Sequence, residues 1–393
     1  MKHSRVSLFF FIIFIFLFAR LSAHPTLPGI DEAMLDFVES GEITGAVTLV
    51  SSGDSTLHFG AVGQRDRDAA LVMETDTIFR IASMTKPVCG VAVLILVDEG
   101  LLNLDDPVAD YIPEFADLKT PSGTEANLTL RQLLNHTAGL SEVTVEEMAQ
   151  ANSLADLIPV YLSKSMKGEP GERWRYSQSG INTAARIVEL VSGLPFNVFL
   201  QRRIFDPLGM KDTTHYLDAD QRKRLVVAYA KDRDTGEVNA DTSFWATASP
   251  DRPPLGNRGL YSTAADYTAF CQMLLNGGQL NGTRILSKES VAELSRNSTG
   301  DLKTGFVPGS AWGVATGIVR ESQGVTAMLS SGTYGHGGAF GTQAWIDPER
   351  EIIYVLMIQR RGFGNGDASN VRKMFMETAA AALGFDAEIS DSD

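Results

Sequence analysis

The chain has 393 residues, 44% of them hydrophobic and 21% charged, a balance that supplies a large core and excludes a disordered polymer. Its formal net charge of −14 excludes the basic face that nucleic acid or an anionic membrane surface would demand of a partner. Only two cysteines occur, Cys89 and Cys271, both inside apolar runs, so the fold is not stapled by disulfides and each reads as a small buried hydrophobe.

Lys2 and Arg5 precede an apolar run over residues 6–18, followed by Arg20-Leu21-Ser22-Ala23. This is the layout of a secretory signal peptide over residues 1–23. Cleavage before His24 predicts a secreted or periplasmic protein with no stable membrane partner; an uncleaved segment would instead serve as an anchor. Residues 30–39 have the apolar period of an amphipathic helix, and 43–50 and 55–62 read as two strands joined by the Gly53-Asp54 turn. Residues 77–81 are extended and deliver the chain to Ile81-Ala82-Ser83-Met84-Thr85-Lys86-Pro87. Here Ser83 and Lys86, one helical turn apart, share a face if a helix starts near Ser83. Pro87 suits a first turn, where its missing N–H would have no partner anyway. The run from Val88 to Val97 is apolar nearly all round and stops near Gly100, the pattern of a buried helix.

A lysine at the mouth of a buried helix loses hydration, which disfavours its charged form and suits it to take a proton from Ser83. From residue 105 helical periods dominate, at 129–134, 154–166, 181–191 and 196–205, and predict a helical subdomain over about 105–225. Strand signals return at 311–319, 325–329, 342–346 and 351–358, and a last helix is expected over 368–383. One antiparallel sheet built from both chain ends, flanked by helices and with the helical insertion beside it, accounts for this order: an α/β (α+β) fold forming one domain over 24–385, with an acidic tail at 386–393. The cleft between sheet and insertion is the expected site.

Two further stretches carry chemistry. Glu172-Arg173-Trp174-Arg175-Tyr176-Ser177-Gln178 runs from a turn into a helix, and a tyrosine beside two cations can act as phenolate or proton relay. Alternatively Tyr176 packs under the loop while Ser177 or Ser179 caps the helix. Gly335-His336-Gly337-Gly338-Ala339 lets backbone approach a ligand and presents N–H groups to it. No G-x-S-x-G elbow occurs, which disfavours an α/β-hydrolase. The six histidines form no metal-ligand spacing, so neither a metal nor another cofactor is expected.

In this order, Ser83-x-x-Lys86, Tyr176-Ser177-Gln178 and His336-Gly337-Gly338 resemble the three motifs of the penicillin-recognising serine hydrolases. Leu133-Leu134-Asn135-His136-Thr137-Ala138-Gly139-Leu140 and Pro207-Leu208-Gly209-Met210 resemble the class C β-lactamase-related branch and its family VIII carboxylesterases. The resemblance implies a β-lactamase/D,D-peptidase-like fold, Ser83 as acylated nucleophile, Lys86 as its base partner and Tyr176 as the tyrosine serving serine and leaving group. It also implies Gln178, His336 and Gly338 as substrate-binding positions, the backbone N–H groups of Ser83 and Ala339 as oxyanion hole, and His136 as structural. Tyr261-Ser262-Thr263 also begins like the second motif, but it precedes Ala264-Ala265-Asp266 and reads as a helix cap. Gln178 stands where the pattern has Asn, and His336 where it has Lys. Loss of that fixed cation favours a small-molecule ester over a carboxylate-bearing peptide-like substrate. A carboxylesterase is therefore expected, with a D-amino-acid peptidase, a D,D-carboxypeptidase or weak β-lactamase, and a non-catalytic binding protein as alternatives.

Overall fold

In a computed structural model the described residues are 24–385, apart from 233, 250 and 364; the expected signal peptide and acidic tail lie outside them. The centre is an antiparallel sheet of eight strands in the order Ser310–Trp312, Gly317–Val319, Tyr334–Gly337, Gln343–Asp347, Ile352–Ile358, Gly45–Ser51, Thr56–Asp66, Leu71–Val72. The two chain ends meet in its middle, where Ala46 faces Ile358 and Val50 faces Tyr354.

Alternation along these central strands divides the core. Val47, Leu49, Ile353, Val355 and Met357 point into the larger cluster, which includes the Thr85–Asp98 helix. Ala46, Val50, Tyr354, Leu356 and Ile358 point to the opposite face, where the helices Ile30–Glu39 and Asn370–Ala382 cover them. A strand covered on both sides must be apolar at every position, and Ile352–Ile358 is buried throughout. Between residues 105 and 225 the named elements among the described residues are all helical, the longest being Gln178–Ser192 and Leu154–Leu162.

Three expectations are corrected. The run 311–319 is two strands, because the chain reverses through Gly313 N–H donating to the Thr316 carbonyl at 2.9 Å, with Ala315 at φ 58°. Residues 325–329 form no strand. Gly324–Thr326 is a 3₁₀ turn closed by the Gln323 and Thr326 side chains, each bonded to the other's backbone. Of 77–81 only Phe79–Arg80 is a strand, paired with Tyr261–Ser262. Several short strands were not expected; the one that bears on the site is Tyr334–Gly337, too rich in glycine to show β propensity and held between two neighbours in the sheet.

Phe375, fully buried against Tyr354 at a ring separation of 6.5 Å, ties the last helix to the sheet. Phe375→Ala should cost about 3–5 kcal/mol, read as a lower urea midpoint with an unchanged slope.

Candidate active site

The Ser83 turn is set from several sides. Ala82–Met84 is a 3₁₀ turn leading directly into the Thr85–Asp98 helix, and Ala82 occupies the left-handed region at φ 45°. A non-glycine residue there costs of order 1–3 kcal/mol and persists only when its surroundings over-determine it. They do: Ile81 N–H donates to the Leu260 carbonyl at 3.1 Å, the Thr85 hydroxyl to the Ala82 carbonyl at 2.7 Å, and the Tyr267 hydroxyl to the Met84 carbonyl at 2.8 Å. The result is a half-buried Ser83 at the positive end of a buried helix.

Lys86, completely buried, places Nζ 3.2 Å from Ser83 Oγ. The same nitrogen lies 3.0 Å from Gln178 Oε1 and 2.9 Å from the Asn257 carbonyl. Burial pushes its pKa well below the ordinary lysine value, and the charge of Arg258 pushes the same way. A neutral amine has two N–H donors and one lone pair, which matches two fixed carbonyl acceptors and one hydroxyl.

Tyr176 stands over this amine, its ring centroid 4.6 Å from Nζ. The ring is walled by His136 at 4.6 Å, Phe306 at 4.9 Å and Trp312 at 5.9 Å. Desolvation there raises the phenol pKa, with the Ser83 hydroxyl opposing the rise. The expected pair of activating cations is corrected: Arg173 and Arg175 point into solvent, and the groups that bear on Tyr176 are the Lys86 amine and the Arg258 guanidinium.

His336 is buried on its strand, with Nδ1 2.6 Å from the Gly337 carbonyl and Nε2 3.2 Å from the Tyr176 hydroxyl. A carbonyl only accepts, so Nδ1 carries the proton and Nε2 accepts from the phenol. Burial lowers the His336 pKa to about 3, so the ring is neutral at working pH. His336 is therefore a fixed acceptor for Tyr176, not a cation.

Gly338 contributes by having no side chain. A Cβ there would lie 2.1 Å from Thr342 Oγ1 and 2.6 Å from the Ile81 carbonyl, so only glycine lets this strand end touch the Ser83 turn. Its own N–H donates to the Thr342 carbonyl and its carbonyl accepts from Gly341 N–H, both within the turn. The next residue, Ala339, is exposed, and neither its N–H nor that of Ser83 has an acceptor among the described residues. Two such donors flanking a hydroxyl can receive a developing oxyanion.

Gln178 points its oxygen at Lys86 and at Asn257 Nδ2, leaving its amide nitrogen without an acceptor among the described residues. Glu142 fixes this helix start by accepting from the N–H groups of Gln178 and Ser179. His136 accepts from Ser177 N–H through Nδ1 at 3.1 Å, the structural part expected of it. Thr263 caps the Ala264–Leu275 helix by accepting from Asp266 N–H, so Tyr261 belongs to a cap and a strand. Sequence reasoning missed Asn257, whose loop between Pro254 and Gly259 carries no motif. Gly256 beside it packs so closely that a Cβ would lie 2.7 Å from Ala185 and 3.0 Å from Cys89 Sγ, which also explains why a small residue occupies position 89. Both cysteines are buried and unpaired.

The β-lactamase family profile matches residues 30–375. Protein Rv1367c of Mycobacterium tuberculosis is 31% identical over 85% of this chain and 90% of its own. Esterase EstB of Burkholderia gladioli is 28% identical over 80% and 86%, and the D-alanyl-D-alanine-carboxypeptidase/endopeptidase AmpH of Escherichia coli 26% identical over 81% and 80%. Among solved structures, EstCE1, a hydrolase with promiscuous acyltransferase activity, superposes with a TM-score of 0.77 over 90% of this chain and 97% of its own, at 22% identity. With the family profile covering most of the chain, the chain belongs to the β-lactamase family and is a serine hydrolase.

Proposed function

We propose that the protein is a carboxylesterase that cleaves small or medium acyl esters through an acyl-Ser83 intermediate. The observation that carries this reading is the fully buried Lys86 amine, held by two carbonyl acceptors with its remaining position turned to Ser83 Oγ at 3.2 Å. Desolvation favours the neutral forms of both Lys86 and Tyr176. A neutral lysine is a base and a neutral tyrosine is an acid, so one environment assigns two roles.

Lys86 takes the Ser83 proton as Oγ attacks the ester carbonyl, and the oxyanion forms against the N–H groups of Ser83 and Ala339. The C–O bond to the alcohol then breaks as Tyr176 protonates the leaving oxygen, and Lys86, beside the phenol, returns a proton to it. Water entering on the same side attacks the acyl-enzyme, its proton passes to the Tyr176–Lys86 pair, and Ser83 is restored. In the resting site His336 holds the phenol by accepting from it, and the hydroxyl turns from His336 to the leaving oxygen as it delivers its proton. Because His336 is neutral, the leaving-group side offers no fixed cation for a carboxylate, which favours an alcohol over a peptide C-terminus. The similarity to esterase EstB supports this choice; the similarity to AmpH is the support for a peptidase.

Wild-type protein should hydrolyse p-nitrophenyl butyrate with a kcat/KM above those for nitrocefin and D-alanyl-p-nitroanilide, and Ser83→Ala should abolish turnover. The reverse order of substrates would establish the peptidase or β-lactamase reading instead. Tyr176→Phe should lose about 10²-fold or more in kcat as the leaving group loses its acid. Gly338→Ala should lose a comparable factor while retaining a cooperative thermal transition, because the added Cβ separates Ala339 from the Ser83 turn.

A further inference from the structure

A cleft of about 790 Å³, open solvent at its mouth included, is lined by Ala82 and Ala339 and not by Tyr176 or His336. Its wall carries four guanidinium groups, Arg80, Arg252, Arg258 and Arg361, and no carboxylate among the described lining residues. In a chain of net charge −14 this is a local reversal of sign. Three of the four have work elsewhere. Arg80 donates to the Val226 carbonyl, Arg252 to the Phe244 carbonyl, and Arg361 pairs with Asp241 at 2.7 Å. Arg258 has neither an ion pair nor a hydrogen bond among the described residues. It is held flat on the Trp245 ring, its central carbon 3.9 Å from the centroid.

Glu142 bears on it only from beyond ion-pair distance, and a partly buried cation with no carboxylate in contact is costly to keep. Trp245 offsets part of that cost through its ring face, and keeps the guanidinium edge, with its fork of donors, turned from the ring. That fork matches a carboxylate. The residue that follows Arg258 is a glycine at φ 111°, and the one before it holds Lys86 through its carbonyl, so the guanidinium is anchored to the catalytic floor rather than to a free loop tip.

We propose that Arg258 is a specificity-determining residue whose guanidinium, stacked on Trp245, receives an anionic group on the acyl part of the ester. The assignment to the acyl part follows from geometry and rests on the esterase reading above. The leaving oxygen must face Tyr176, and the cleft is lined by the oxyanion-hole residue Ala339 while Tyr176 and His336 take no part in its wall. The substrates are then half-esters of dicarboxylic acids, or esters of acids bearing a comparable distal anion, with an uncharged alcohol.

The test compares mono-p-nitrophenyl adipate with p-nitrophenyl hexanoate, which share leaving group and chain length and differ in the distal charge. Wild-type kcat/KM should favour the adipate by about tenfold or more. Arg258→Gln should lower the adipate-to-hexanoate ratio about ten- to a hundredfold, the range of one charge-assisted hydrogen bond, chiefly through KM, while Arg258→Lys retains part of it. Raising ionic strength should also lower the ratio. Hydrolysis of hexanoate through Ser83 without any adipate preference, or a ratio unmoved in Arg258→Gln, overturns the anionic subsite and leaves the esterase intact. Hydrolysis of neither ester overturns both. An equal loss on both esters in Arg258→Gln overturns the specificity role in favour of a purely electrostatic one on Lys86 and Tyr176.

Discussion

The structure depends on keeping one amine out of water. Lys86 belongs to a helix that is buried from Thr85 to Leu96, and a helix of that kind has no solvent face to which a lysine can extend its head group. The cost of a buried ammonium is large, and it falls when the proton leaves. Every neighbour of Nζ is consistent with that outcome: two carbonyl oxygens, one hydroxyl, the ring of Tyr176, and the charge of Arg258 nearby, with Glu142 opposing. The same dryness holds Tyr176 and His336 neutral. For all three groups one physical condition, burial, disfavours the charged form.

Much of this was legible in the sequence. The apolar run after Ser83 announced the buried helix, the Ile30–Glu39 helix followed from its period to the residue, and the strands from both ends met as their order implied. The three motifs come together at the ends of unrelated elements, with contacts spanning up to 160 positions between Tyr176 and His336. What could not be read are features set by tertiary contact. Tyr334–Gly337 is a strand because its neighbours supply the ladder, although three of its flanking or internal positions are glycines. The turn at Ala315 has no glycine or proline at its left-handed position, so 311–319 looked continuous. Asn257 and Arg258 sit in an irregular loop where periodicity says nothing, yet one fixes Lys86 and the other charges the cleft.

Position 336 illustrates how one residue changes a site without dismantling it. Histidine keeps a hydrogen bond to the tyrosine but brings no charge, and its tautomer is dictated by the Gly337 carbonyl. The fixed positive charge near the site lies instead in the guanidinium groups of the cleft that Ala82 and Ala339 line.

The central claim is that buried, neutral Lys86 activates Ser83. The most direct measurement is the rate at which a fluorophosphonate labels Ser83, followed by intact mass across pH, in the wild type and in Lys86→Met. The account predicts a rate that rises with pH as the amine loses its proton, with a midpoint well below the ordinary lysine value of 10.5, and a loss of about 10²-fold or more at the plateau in Lys86→Met. A wild-type midpoint near 10.5, or an undiminished rate in Lys86→Met, would contradict it.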